Sequence, residues 1–327
     1  MTSNAILQKK RVDLTQQDEE AVDELSEILA GLRESPKRTS PKYFYDERGS
    51  KLFDQICNLP EYYPTRTELA IMQGCADEIA DIIGPNASLI EFGSGSSLKI
   101  RLLLEHIPNL AAYVPVDISL DHLVSAASKI ASDFPDIEVL PVAADFTHPF
   151  DLPTPKVMPV RNVVYFPGST IGNFSPAAAL DLLRVMHHEA GENGGLLIGI
   201  DLQKDLDVLE RAYNDSAGIT AAFNLNVLRH LNTEFGSDFD LEGFRHLAQY
   251  NDDKGRIEMY LVSQSDQVVT IDGHTFAIEQ GERILTEHSH KYTIDGFAGL
   301  AARAGFKLEQ CWTDDNRWFA VCYLTRL

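Results

Sequence analysis

Apolar residues recur along this chain with two different periods, and the changes from one to the other mark where its parts begin and end. In residues 14–34, Ala21, Leu25, Ile28, Leu29 and Leu32 fall near helical spacing with acids opposite, which predicts an amphipathic helix running into the polar stretch SPKRTSPK. A second helical pattern, RTELAIMQGCADEIADII over 66–83, is stopped by Gly84 and Pro85. From Ser88 the pattern changes. SLIEF reads as a strand, the glycine turn GSGS follows, and LKIRLLLEHI reads as a helix. The same rhythm continues through AAYVPVDIS (strand), DHLVSAASKIASDF (helix), IEVLPVAADF and RNVVYFPGS (strands), PAAALDLLRVMHHEA (helix) and GGLLIGIDL (strand). Parallel neighbours need a crossover that is usually helical, so this alternation predicts a parallel, doubly wound sheet.

Beyond residue 202 the alternation stops. A helical stretch holding RAYNDSAGITAAFNLNVLRHLNTEF gives way to IEMYLVS, QVVTIDG and HTFAIEQG, which read as antiparallel strands. The tail returns to the first pattern, with the helix DGFAGLAARAGF and the strand-like KLEQCWTD and WFAVCYLT, expected to form a hairpin at the edge of the main sheet. The expected fold is therefore α/β: a Rossmann-like core over 66–201 with 290–327, and a second, mixed α+β module over 1–65 with 202–289.

Composition narrows the partners. The 44% hydrophobic and 24% charged residues are those of an ordinary globular protein. Against 28 Lys+Arg stand 49 Asp+Glu, a formal charge of −21 that repels nucleic acid and anionic lipid and favours a small-molecule substrate. The first residues, MTSNAILQKKRVDL, are too polar for a secretory leader and no run is long enough to span a membrane, so the expected location is the cytoplasm. Cys57, Cys75, Cys311 and Cys322 are irregularly spaced, which suits reduced packing residues better than a disulfide framework or a metal site.

The most informative local signal is Glu91-Phe92-Gly93-Ser94-Gly95-Ser96-Ser97, set where the first strand of the alternating region meets a helix. Glycines there let the backbone approach a ligand. The third glycine of the dinucleotide fingerprint is missing, with Leu98 in its place, which leaves little to hold a pyrophosphate. An acid immediately before the turn is instead the pattern of S-adenosylmethionine-dependent methyltransferases. Asp117 closes the next strand about 20 residues on, where a carboxylate accepts ribose hydroxyls. Asp145 and Phe146, at the end of the third strand, are placed to bond an adenine amino group and cover its ring.

Several longer strings coincide with this frame: Tyr43-Phe44-Tyr45-Asp46-Glu47-Arg48-Gly49-Ser50, LPEYYPTRTE from Leu59, GSTIGNF from Gly168, Arg211-Ala212-Tyr213-Asn214-Asp215, Thr220-Ala221-Ala222-Phe223-Asn224, Arg256-Ile257-Glu258-Met259 and Leu285-Thr286-Glu287-His288-Ser289. From about residue 40 to the end the chain resembles the histidine-specific α-N-methyltransferases of ergothioneine biosynthesis. The extra domains of the fused fungal relatives are not expected at this length. The resemblance implies a class I methyltransferase fold, a monomer, and trimethylation of the α-amino nitrogen of free L-histidine to hercynine with S-adenosylmethionine as donor. It also implies that Gly93, Lys99, Asp117, Asp145 and Phe146 contact the donor, that Tyr62, Asn173, Tyr213, Glu287 and Ser289 hold histidine, that Met259 lines the imidazole pocket and that Tyr45 stands at the reacting amine as the catalytic residue.

Plainer readings exist for each residue. Tyr62 and Tyr63 suit a core, Met259 suits core filling and Glu287 suits a solvated strand. Asn173 could cap the following helix, although Ser175 before Pro176 suits that role better. The pairs His187-His188 and His288/His290 lack an HExxH helix, so no metal is expected. Three other functions remain open: methylation of another amino acid such as tryptophan, nicotinamide-dependent oxidoreduction, and non-enzymatic binding of S-adenosylmethionine. The polar pair Glu287/Ser289 favours histidine over a large apolar side chain, because a buried carboxylate left unpaired is costly.

Overall fold

Two short, uninterrupted apolar runs, ASLIEF and AYVPVD, show how the main sheet is made: strands covered on both faces need no polar alternation, and five or six residues of each run are buried. The structure is a computed structural model that describes residues 14–94 and 98–327, with side chains from residue 24 onward except Asp121 and His122. Ala21 of the first helix and Gly95, Ser96 and Ser97 of the glycine turn thus lie outside the described residues and side chains.

The chain opens with α1 (Leu14–Arg33), β1 (Lys37–Arg38), α2 (Glu47–Cys57) and α3 (Tyr63–Ile83). The alternating region holds β2 (Ala87–Phe92), α4 (Leu98–His106), β3 (Ala112–Asp117), α5 (Leu120–Asp133), β4 (Val142–Ala143), β5 (Arg161–Phe166), α6 (Pro176–Ala190) and β6 (Gly195–Asp201). There follow α7 (Leu206–Tyr213), α8 (Ile219–Glu234), β7 (Phe244–Asn251), β8 (Arg256–Ser263), β9 (Gln267–Ile271), β10 (His274–Ile278) and β11 (Arg283–His290). The tail is α9 (Ile294–Arg303), β12 (Phe306–Thr313) and β13 (Phe319–Arg326).

Two compact units divide the chain. One comprises residues 53–217, 248–258 and 288–327 and contains a seven-stranded sheet in the order β12-β13-β6-β5-β2-β3-β4. The pairs among β2 to β6 are parallel, and β13 joins β6 antiparallel. This is the expected doubly wound, Rossmann-like core, closed at one edge by the expected hairpin. Neighbouring residues along a strand feed opposite cores. Ile90, Phe92, Val164 and Ile198 pack with α6 and α9, whereas Leu89, Tyr113, Val163 and Leu197 pack with α3 and α4.

The other unit, residues 1–52, 218–247 and 259–287, holds α1, β1, α8 and the β9–β10 hairpin. A four-stranded sheet has the order β1-β11-β8-β7, and its strands β7, β8 and β11 each run from one unit's residues into the other's. Along the chain the first crossings from one unit to the other fall at Leu52/Phe53 and Ala217/Gly218.

Three details differ from expectation for local reasons. The strand expected over IEVLPVAADF shrinks to Val142–Ala143 plus one bridge from Val139 to Tyr113, because Pro141 has no N–H to donate to a ladder. The long helical stretch after residue 205 breaks into α7 and α8 at Gly218, which takes φ +72°. Helix α3 starts three residues early, at Tyr63, because Pro64 is preorganised for a first turn. Ser175 caps α6 as expected, its hydroxyl accepting the Ala178 N–H at 3.3 Å. Among the described residues no helix is long and apolar enough to cross a membrane.

Candidate active site

The carboxyl ends of β2, β3 and β4 gather the first set of expected residues. Beyond β2, Gly93 sits at φ +74°, a conformation that favours glycine, and its N–H donates to the Val116 carbonyl at 2.9 Å. A Cβ there would lie 3.7 Å from the ring of Phe146, so the missing side chain leaves the backbone bare beside that ring. Phe146 is held by Phe92 and Phe166, with centroids at 5.5 and 5.8 Å. Asp117, the last residue of β3, accepts the Ser119 N–H at 2.9 Å.

Asp145 lies in the loop two residues past β4 instead of at a strand end, since that strand is so short. It accepts the Thr147 N–H at 2.9 Å and the Thr147 hydroxyl at 2.7 Å. Partial burial works against its ionisation, but these bonds and the neighbouring His148 win and hold the carboxyl below its ordinary range. Bare glycine backbone, an aromatic plate and two carboxylates suit a nucleoside with hydroxyls and an amino group. S-adenosylmethionine fits that description.

Beneath the turn, charge is buried. Glu91 is 3% exposed and takes a short hydrogen bond from the Tyr113 hydroxyl. Burial pushes its carboxyl up to about 7, against the opposing pull of Tyr113 and Lys99. The acid that marked the glycine turn in the sequence is thus turned inward. Lys99 forms an ion pair with buried Glu68 of α3, which also accepts the Gly168 N–H at 3.0 Å. A Cβ on Gly199 would come within 2.2 Å of that carboxylate, so glycine in β6 is what makes room for Glu68. An ammonium has three donors, and the pair with Glu68 leaves Lys99 able to serve another acceptor.

A second group forms within the same unit around β11. The Tyr213 hydroxyl and Ser289 Oγ are 2.8 Å apart, and the Tyr62 ring meets Tyr213 edge-on at 6.1 Å. Asn173 ends a short 3₁₀ turn, Thr170–Asn173, that is tied to β11 through His290 Nδ1 and the Gly172 carbonyl, 2.9 Å apart. Under these residues lies a charged cluster that sequence reading missed. Lys291 donates to Asp201 Oδ2 at 2.7 Å, to the Tyr213 hydroxyl at 2.8 Å and to Ser289 Oγ at 2.8 Å. Lys204 donates to Asp201 Oδ1 at 2.5 Å and to the Tyr63 hydroxyl at 2.6 Å, and Tyr63 in turn donates to Asp201 at 2.8 Å.

Burial penalises each of these charges. For Asp201 the two ammonium groups outweigh it and hold the carboxyl low. For Lys291 the bonds to Asp201 and Tyr213 outweigh it and hold the ammonium above its ordinary range, while for Lys204 burial wins and brings the group down to about 8. Two signals could have revealed the cluster. Asp201 closes β6 as Asp117 closes β3, and Lys291 stands two residues past Ser289, on the same side of an extended chain.

Tyr45, Met259 and Glu287 belong to the other compact unit. Tyr45 is 45% exposed and packs edge-on against Phe223 at 5.6 Å. Met259 is buried in β8, and the Thr286 hydroxyl donates to its carbonyl at 3.1 Å. Glu287 is buried rather than solvated. It lies two residues from Ser289 along β11, so both point to one side of that strand. No group of His, Cys, Asp or Glu among the described residues is arranged to hold a metal.

A doubly wound sheet with a glycine turn after β2, a carboxylate at the end of β3 and another just past β4 fits a Rossmann-like methyltransferase that uses S-adenosylmethionine. Residues 24–326 match the family described as histidine-specific methyltransferase, SAM-dependent, and the chain belongs to that family. Histidine N-alpha-methyltransferase of Mycolicibacterium smegmatis is 41% identical over 92% of this chain and 94% of its own length. The protein of the same name from Mycobacterium tuberculosis is 38% identical over 90% and 92%. Ergothioneine biosynthesis protein 1 of Neurospora crassa is 30% identical over 88% of this chain but only 33% of its own. Among solved structures, the CcbJ methyltransferase of Streptomyces caelestis overlaps 77% of this chain and 94% of its own at a TM-score of 0.46 and 13% identity.

Proposed function

We propose that this protein transfers three methyl groups in succession from S-adenosylmethionine to the α-amino nitrogen of L-histidine, giving hercynine, the first step of ergothioneine synthesis. The observation that carries the reading is the 41% identity, along nearly the whole of both chains, to a histidine N-alpha-methyltransferase. The buried state of Glu287 and Ser289 supports it, since two polar groups on one side of a strand suit an imidazole better than an apolar ring.

When bound, the donor supplies an electrophilic methyl carbon. In this reading Gly93, Asp117, Asp145, Phe146 and Lys99 hold it, with Asp117 on the ribose and Asp145 and Phe146 on the adenine. Methyl transfer then demands a positioned, neutral amine in a dry site more than a strong acid or a metal. Tyr45 and Tyr62 offer hydroxyl oxygens to the amine N–H groups and ring faces to the growing quaternary cation. Asn173 and the Tyr213 hydroxyl serve the substrate carboxylate, Glu287 and Ser289 the imidazole, and Met259 its apolar wall. The reading includes a monomeric cytoplasmic enzyme without nucleic-acid or membrane partners, its donor module over 66–201 and 290–327 and its substrate module over 1–65 and 202–289.

The direct test incubates the purified protein with S-adenosylmethionine and a mixture of free amino acids and follows masses. Histidine is expected to gain three methyl groups. Gain on tryptophan or another amino acid, with histidine unchanged, would replace the substrate assignment.

A further inference from the structure

Glu68 of α3 is a carboxylate almost closed to solvent: its side chain is 1% exposed, and that of its partner Lys99 is 12% exposed. Gly199 leaves room for it, and Gly168, whose N–H it accepts, lies against the lysine, since a Cβ on Gly168 would stand 3.6 Å from Lys99 Nζ. These bonds do not require a charge. Glu68 Oε2 alone takes both the Lys99 ammonium and the Gly168 N–H, the latter at 3.0 Å, and a glutamine oxygen in that place can accept both. What only the carboxylate adds is a negative charge, which is costly to bury unless it is matched. Lys99 is the match, and the pair is felt at the glycine turn. Burial is the main force raising the Glu91 carboxyl, but Lys99 pulls it down and Glu68 pushes it up, so the two charges act there with opposite sign.

We propose that Glu68 is a positioning residue that acts through Lys99, holding the lysine and cancelling its charge so that the donor site favours the cationic sulfonium of S-adenosylmethionine over the neutral thioether of S-adenosylhomocysteine. Donor and product share the adenosine and the amino-acid group, and they differ by one methyl group and one positive charge. An ammonium without a counterion would repel the first and not the second. Solvent screens little of this, because both members of the pair are largely buried. Every round of methyl transfer leaves S-adenosylhomocysteine behind, so the discrimination governs how readily fresh donor replaces product. The inference rests on the proposed contact of Lys99 with the donor.

The test is a cycle of two side chains read with two ligands. Binding of S-adenosylmethionine and of S-adenosylhomocysteine is measured by calorimetry for the wild type, Glu68→Gln, Lys99→Met and the double variant. The buffer is held at about pH 8, where the Glu91 carboxyl is already ionised and cannot make up a missing negative charge. In Glu68→Gln the ratio of the two affinities is expected to move toward S-adenosylhomocysteine by about threefold or more. In Lys99→Met both ligands should weaken while the ratio moves the other way, and the double variant should return to within about twofold of the wild-type ratio. Glu68→Asp, which keeps the charge, should keep that ratio. Equal changes for the two ligands in Glu68→Gln, or a double variant no nearer the wild-type ratio, would overturn the proposal, because a carboxylate that only braces the fold cannot tell a sulfonium from a thioether. Should Glu68→Gln not fold, the opposite shift in Lys99→Met carries the test, and its absence is equally fatal. Unchanged affinity for both ligands in Lys99→Met would overturn the placement of Lys99 at the donor, and the inference with it.

Discussion

The glycine-turn end of the sheet and the floor beneath Tyr213 both depend on carboxylates at or just past strand ends, yet they treat charge in opposite ways. At the glycine turn, Asp117 and Asp145 stay partly solvated and are braced by short-range bonds to Ser119 and Thr147. Under Tyr213, Asp201 is 1% exposed, and its partners come from α3, the segment after β6 and the segment after β11. A partly solvated carboxylate can exchange water for a ligand at small cost, whereas a buried one must be paid for by permanent partners. The first arrangement suits binding. The second suits holding other groups in place.

The largest effect expected from this contrast is at Asp201. Replacing it with alanine leaves two buried ammonium groups without their anion and should cost about 3–5 kcal/mol in urea unfolding. A loss below about 1 kcal/mol would mean that Lys204 and Lys291 reach water easily, and the contrast would dissolve. Next is Glu91, whose carboxyl is raised by burial from 4.5 to about 7. An acid with a raised pKa in the fold makes its full contribution below the unfolded value, and the fold loses that contribution as pH climbs to the folded value. Wild-type stability should therefore fall relative to Glu91→Gln between about pH 4.5 and 7, by about 3 kcal/mol in all at 1.36 kcal/mol per unit. Parallel stability curves for the two proteins would show that Glu91 is solvated after all. The smallest effect is at the open end: Asp117→Ala should weaken S-adenosylmethionine binding by about 2 kcal/mol, the value of hydrogen bonds to a charged group, while unfolding changes little. A fall in stability as large as that for Asp201→Ala would erase the distinction between the two regions.

Much of the binding end was legible in the chain because its determinants are local. A glycine turn after an apolar run, with acids at the ends of the next runs, needs only the rhythm of strand and helix to be placed. Gly93, Asp117 and the capping Ser175 are found where that rhythm put them. The third strand was over-read, since an apolar run containing Pro141 cannot sustain a ladder. The pairings of Glu68 with Lys99, Tyr63 with Asp201 and Lys291 with Tyr213 were not legible in this way, even where one member's position was. Their partners lie 31, 138 and 78 residues apart, and spacing along a chain carries no record of such pairs.

By itself the sequence determined the period changes, hence the doubly wound sheet, the edge hairpin and the family. Tertiary structure alone decided which polar side chains are buried and what each is bonded to. The reason is one of range. Backbone preference and hydrophobic period act over a few residues, whereas the cost of burying a charge is settled by whichever groups the finished fold brings within about 3 Å of it.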